Sequence, residues 1–350
     1  MPIVASVFLV EKLLLRPPVV EGKLLRKSSY LSILFFALVG VTLLMVIMNG
    51  VNFVSLRNLR SMAFQLPELG ILTLAMMITM LTAGINLSVI ANSNLSGIVM
   101  AMILTSAFPA DSPLAGSIWV VLLAILAGLA VGVAVGMING YLIAVLDISP
   151  ILATLGTMIM LSGISVVITK GYVISGFPQA MLAIGNGSFV GIPNPMIVFL
   201  VCAGVMALIL NRTPLGTRIY LLGSNPTACF YSGVNNKKVL FRTYIISGIY
   251  AGVAAIVMIS RFNSAKADYG ESYLLQTVLA AVLGGTSAAG GFGKVSGLIV
   301  SLVIMQMISS GLNLMGVSNF LTLALWGIIL ILVMVFKYFI DKGFNQRQVS

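Results

Sequence analysis

The sequence predicts an all-α integral membrane protein: about ten transmembrane helices, two related halves, and places where helices can break or re-enter. Three observations lead there. Of 350 residues, 59% are hydrophobic and only 8% charged, against about 25% charged in soluble domains. The apolar residues come in runs near the roughly 20 that a spanning helix needs, too long for barrel strands. A short pattern also recurs 200 residues apart: "NLSGIVMAMI" at 94–103 resembles "KVSGLIVSLV" at 294–303, and Gly84 matches Gly284.

The first 30 residues have no basic start and no small-residue cleavage site, so no cleavable leader is expected there. They carry too few apolar residues to cross, and a cytoplasmic tail resting partly on the membrane surface is expected for 1–30. Ten candidate spans follow, at 31–49, 66–84, 88–106, 115–137, 149–169, 193–211, 243–260, 273–287, 295–314 and 319–337. A second cytoplasmic tail is expected for 338–350. With both termini inside, fourteen of the 19 Lys and Arg residues fall on the inner side. That asymmetry supports the orientation in a bacterial inner membrane. It also accounts for the net charge of +11. Nucleic acid is excluded as a partner, because no basic stripe with interleaved aromatics occurs.

The longest internal connection, 212–242, carries five basic residues. Within it "SNPTACFYSG" opens with a Ser/Asn cap and a first-turn proline and closes on Ser-Gly. A short helix over about 225–232 is expected on the inner face, presenting Phe230 and Tyr231. Its plain alternative is a connector lying against lipid headgroups.

Two links are short and polar. "TAGINLSVIANSNLSG" (82–97) holds three asparagines, and "GGTSAAGGFGKVSG" (284–297) is rich in glycine. Amides in hydrocarbon cost free energy unless hydrogen-bonded. Paired polar interruptions in two halves point to a solute site. The expected lining is Asn86, Ser88, Asn92, Ser93, Asn94, Thr286 and Ser287. The competing reading is a helix–helix hydrogen-bond cluster. "GGFGKV" is not a phosphate loop: the required spacing fails and Val295 follows the lysine. Gly128, Gly132, Gly136 and Gly140 form a flat helix face, expected to serve packing.

No ionisable residue is expected well inside a span, which argues against proton coupling. Histidine is absent and Cys202 and Cys229 are the only cysteines, so no metal cluster or acid–base pair is expected, and no enzyme. A neutral Asn/Ser/Thr lining suits a neutral polyhydroxylated solute. Energy for uphill transport must then come from elsewhere.

Several segments carry a family resemblance. "TAGINLSV" (82–89) is similar to T-G-G-I-D-L-S-V. "GMINGYLIAVLDISPILATLGTM" (136–158), "GSNPTACFYSGVNNKKV" (223–239), "SRFNSAKADYGESYLLQTVLAAVLGGTSAAGGFGKVSG" (260–297) and "GLNLMGVS" (311–318) extend it from about 31 to 337. The chain resembles permease subunits of bacterial ABC importers for simple sugars, relatives of the branched-chain amino acid permeases. The resemblance implies a second permease subunit, identical or homologous, two cytoplasmic ATPase subunits and an extracytoplasmic solute-binding protein. It implies no cofactor in this chain, with ATP used by a separate subunit. The ATPase contact falls on Asn225, Ala228, Phe230, Ser232 and Gly233. Acidic residues usual in the family are replaced by Asn86, Pro226, Thr227, Leu274 and Gln276, and a usual basic one by Phe230. These losses favour a heterodimer or a different solute. A permease for a nucleoside or amino acid, a passive channel, and a membrane receptor or scaffold remain the alternatives.

Overall fold

The computed structural model describes residues 19–106 and 118–346. The start of the N-terminal tail (1–18), the opening of the 115–137 span and the last residues of the C-terminal tail (347–350) lie outside the described residues.

The described residues are mostly helical. In order run α1 (Val19–Asn49), α2 (Val51–Val54), α3 (Leu56–Met80), α4 (Val89–Ser106), α5 (Ile118–Ala144) and α6 (Pro150–Thr169). Then come α7 (Gln179–Asn186), α8 (Asn194–Arg212), α9 (Pro214–Ser224), α10 (Pro226–Tyr231) and α11 (Asn236–Phe262). The last are α12 (Tyr273–Leu283), α13 (Val295–Leu314) and α14 (Asn319–Gln346). Among the described residues, four two-residue strands form two antiparallel pairs, β1 (Ile174–Ser175) with β4 (Ser264–Ala265) and β2 (Ser188–Phe189) with β3 (Ile192–Pro193).

Among the described residues, seven helices are long and apolar enough to cross a membrane: the apolar part of α1 with α3, α5, α6, α8, α11 and α13. Shorter apolar helices occupy Val89–Thr105, Tyr273–Leu283 and Phe320–Val333. The protein is a multi-pass membrane protein. Burial separates centre from rim: 78% of the apolar window of α3 and 61% of that of α11 are inside the bundle, against 11% for α1. The rim helices turn Leu152, Ile159 and Val167 of α6 and Leu200 and Val201 of α8 outward. Such surfaces suit lipid, which solvates them as well as a protein core would.

Several boundaries differ from expectation. Helix α1 begins at Val19 and runs unbroken into the first span, so the residues from 19 on continue that helix. The 212–242 connection is mostly two short helices, and α11 starts at Asn236, before the expected 243.

The glycine face of α5 packs as expected. A methyl on Gly132 would stand 2.5 Å from the Gly248 carbonyl oxygen of α11, and one on Gly136 2.6 Å from that of Tyr244. Only glycine lets the two backbones approach this closely. At one end of the bundle, α7 caps α11. Asn186 Nδ2 donates to the Ser260 carbonyl at 3.0 Å, and the Phe177 amide donates to Asn263 Oδ1 at 2.9 Å. The first bond occupies a last-turn carbonyl that a helix end leaves open, and the second holds the side chain of the capping Asn263.

The expectation of an ion-free interior is corrected. Helix α3 starts at Leu56, ahead of the apolar run, so Glu68 lies near its middle and is fully buried. Glu68 Oε1 accepts from Arg261 Nη1 at 2.7 Å, and Tyr273 Oη donates to Oε2 at 3.4 Å. The carboxylate is tolerated because a guanidinium neutralises it.

Candidate functional site

The two polar links are helix breaks, and they share one backbone device. After α3, the Gly84 amide donates to the Thr79 carbonyl at 3.1 Å, with Ala83 in the left-handed region at φ 61°. After α12, the Thr286 amide donates to the Ala281 carbonyl at 2.9 Å, with Gly285 at φ 87°. Both are Schellman-type ends, in which a residue of positive φ turns the chain back onto open carbonyls. The device pairs Gly84 with Thr286, so the expected match of Gly84 with Gly284 is out of register. The local likeness misleads because Ser-Gly sits mid-helix in α4 but in the first turn of α13.

The breaks meet. The Gly291 amide donates to the Leu81 carbonyl at 2.9 Å. A methyl on Gly290 would stand 2.8 Å from the Ala83 amide nitrogen, and one on Gly293 2.9 Å from Leu81 Cδ2. The seam thus runs from Leu81 to Ala83 on one side and Gly290 to Gly293 on the other. Helix α9 seats against it. Tyr220 Oη donates to the Gly293 carbonyl at 2.9 Å, and burial pushes the Tyr220 phenol above its usual range, keeping it a donor. Gly223 is so close to the Leu81 carbonyl that no Cβ fits.

Beyond α9, Asn225 Oδ1 accepts from the Ala228 amide at 2.9 Å and Pro226 holds the first position of α10. Ser232 ends the helix, its Oγ donating to the Ala228 carbonyl at 2.8 Å, and Gly233 turns away at φ 78°. The expected short helix is therefore present over Pro226–Tyr231. Phe230 and Tyr231 are 65% and 83% exposed and touch edge to face at 5.8 Å. The pair thus leaves apolar surface held out from the bundle.

The predicted lining residues separate into groups. Asn86 is buried, donating from Nδ2 to Ser247 Oγ at 3.0 Å and accepting at Oδ1 from Ser88 Oγ at 2.7 Å. Ser88 Oγ accepts from Asn139 Nδ2 at 2.7 Å, whose Oδ1 accepts from Thr157 Oγ1 at 2.8 Å. Ser247 Oγ donates to the Ala75 carbonyl at 2.8 Å. One neutral chain of hydrogen bonds so links the first break to α3, α5, α6 and α11. Asn92 instead bridges α4 to α5 through the Gly132 carbonyl at 3.3 Å. Asn94 reaches the other end of the bundle, donating to the carbonyls of Ala267 and Tyr269 at 2.8 and 2.9 Å. With Ser93 it lines a small cleft beside Lys266 and Tyr269. Thr286 is buried at the second break; Ser287 is half-buried and its Oγ accepts from the Ala289 amide at 3.2 Å.

Sequence reasoning missed Asn139, Thr157, Ser247 and Tyr220. Asn139 and the Thr154/Thr157 pair gave a signal, as isolated polar groups in apolar helices. Ser247 and Tyr220 gave none, since only the packing supplies their partners. Among the described residues no group of His, Cys, Asp and Glu could hold a metal ion.

A membrane bundle whose central helices break into paired polar turns has the form of a transport subunit. The chain belongs to the family described as branched-chain amino acid transport system / permease component, which matches residues 58–334. Similar proteins include the ribose import permease protein RbsC of Bacillus subtilis, 34% identical over 85% of this chain and 90% of that protein. The autoinducer 2 import system permease protein LsrD of Photorhabdus temperata is 30% identical over 86% of this chain and 90% of the relative. LsrD of Salmonella typhi is 32% identical over 76% and 79%. No solved structure matches the chain.

Proposed function

We propose that this chain is the permease subunit of an ATP-driven bacterial importer and forms the translocation pathway for a monosaccharide or similar neutral polyhydroxylated solute. Ten spans in two halves, both termini in the cytoplasm and an inner-membrane location complete the reading. The observation that carries it is the junction of the two helix breaks with α9 seated on it and α10 projecting beyond. A docked ATPase pressing on α10 would act through Tyr220 and Gly223 on the seam itself. The partners are a second permease subunit, for which the lost acidic positions favour a homologous rather than identical chain, two ATPase subunits and a solute-binding protein. ATP is bound by the ATPases and no cofactor by this chain, which we propose catalyses no reaction of its own.

The neutral network supports the choice of solute. Asn86, Ser88, Asn139 and Ser247 exchange hydrogen bonds among themselves in this conformation. Hydroxyls of a passing solute can take over such bonds at little net cost. The similarity to a ribose permease makes D-ribose the first solute to test. In proteoliposomes, the complex with its ATPase and binding protein is expected to accumulate D-ribose only with ATP. Equal uptake without ATP would favour a passive channel instead.

A further inference from the structure

We infer that the Tyr244 and Thr286 hydroxyls, one at each end of the seam between the two helix breaks, are the groups that bind a solute hydroxyl as it leaves through that seam. The inference rests on the import function proposed above.

Among the described residues, four buried side-chain polar atoms have no hydrogen-bond partner: Ser165 Oγ, Asn236 Oδ1, Tyr244 Oη and Thr286 Oγ1. Both Tyr244 and Thr286 have zero solvent exposure. A buried hydroxyl without a partner destabilises a fold, so native interiors rarely keep one without a use. These two share a location. Tyr244 Oη stands 2.5 Å from where a methyl on Gly84 would lie, and Thr286 Oγ1 stands 3.0 Å from that point on Gly293. Gly293 lies in the seam joined by the Gly291–Leu81 hydrogen bond, and Gly84 directly follows Ala83, the residue that meets Gly290 there. Tyr244 also lies one turn before Ser247 on α11, the serine that accepts from Asn86. The unpartnered phenol and the neutral network therefore face the same break from the same helix.

The chemistry fits a neutral, hydroxylated ligand. Each group is both donor and acceptor and carries no charge at neutral pH. Packed shut, the seam leaves them idle. When α9 shifts and the breaks separate, the two hydroxyls become the polar groups bordering the opening. A solute hydroxyl entering there gains partners that the closed state does not supply, which favours the open state.

The test uses the purified complex with its ATPase and binding protein in proteoliposomes, and compares wild type with Tyr244→Phe, Thr286→Val and Thr286→Ser. D-ribose and 2-deoxy-D-ribose are the probes. Phe and Val remove a hydroxyl while keeping shape, so thermal unfolding of both variants is expected to be unchanged or slightly raised. ATP-driven uptake of D-ribose is expected to fall about three- to tenfold, the effect of one hydrogen bond, and Thr286→Ser is expected to restore it. In at least one variant the preference for D-ribose over the deoxy sugar is expected to narrow. Wild-type uptake of D-ribose with unaltered rates and preference in both variants overturns this inference and leaves the import function standing. Absence of ATP-driven uptake of either sugar by the wild type overturns the import reading and this inference with it.

Discussion

Glu68 and Arg261 stand 193 positions apart in the chain, yet their charged groups meet at 2.7 Å, with the carboxylate fully buried. The pair ties the middle of α3 to the last turn of α11, the two most buried spanning helices, and Tyr273 adds the start of α12. It joins three elements at the end of the bundle away from α10.

Breaking that pair from one side strands a charge. Arg261→Met is expected to destabilise the purified permease by about 3–5 kcal/mol, read as a lowered unfolding temperature in lipid nanodiscs. The double variant with Glu68→Gln is expected to recover part of the loss. Equal stability of wild type and Arg261→Met would show that the contact contributes nothing.

The α5–α11 crossing depends on absent side chains. Gly132→Ala places a methyl 2.5 Å from the Gly248 carbonyl oxygen and is expected to cost ~1–3 kcal/mol as overpacking. Gly163→Ala, with nothing within 4 Å of the added methyl, is the control and is expected to be neutral. A similar small effect at both positions contradicts the close-approach account.

Much of this was legible in the sequence and the remainder was not, for physical reasons. The α10 cap, its proline and its closing glycine are local signals, and the structure has them at Asn225, Pro226 and Gly233. The two breaks were legible because polarity interrupts a hydrophobic run wherever the chain leaves the helix. The glycine stripe was legible from its spacing of four. The Glu68–Arg261 pair was hidden twice: its partners are far apart in sequence, and an apolar window begins α3 too late, leaving Glu68 near a span end. Helix α9 was read as connector because its contacts, Tyr220 with Gly293 and Gly223 with Leu81, belong to distant segments. The expected pairing of Gly84 with Gly284 differs from the shared turn device, which pairs Gly84 with Thr286, because short Gly/Ser-rich strings align by composition alone.

The asparagines of the first link give a functional prediction. Asn86→Ala removes the acceptor of Ser88 and the donor to Ser247, and Asn92→Ala removes the bridge to the Gly132 carbonyl. Each is expected to cost about 1–3 kcal/mol and to lower ATP-driven uptake, with the complex still assembling on size-exclusion chromatography. Normal transport by both variants would return the network to a purely structural role.

The exposed aromatics of α10 give a binding prediction. Phe230→Ala leaves the packed faces of the bundle intact, because the side chain is 65% exposed. It is expected to weaken ATPase association about tenfold or more, as removal of an interface anchor does, with no change in unfolding temperature. Undiminished ATPase binding by this variant would place the docking surface elsewhere.

The central claim is that a neutral passage through this bundle is opened by force delivered to α10. The most direct measurement is solute flux in proteoliposomes containing the permease assembly with and without its ATPase, in the presence of ATP and binding protein. The account predicts concentrative uptake of D-ribose with the ATPase and negligible flux without it. Rapid flux through the permease alone, unchanged on adding the ATPase, would contradict it.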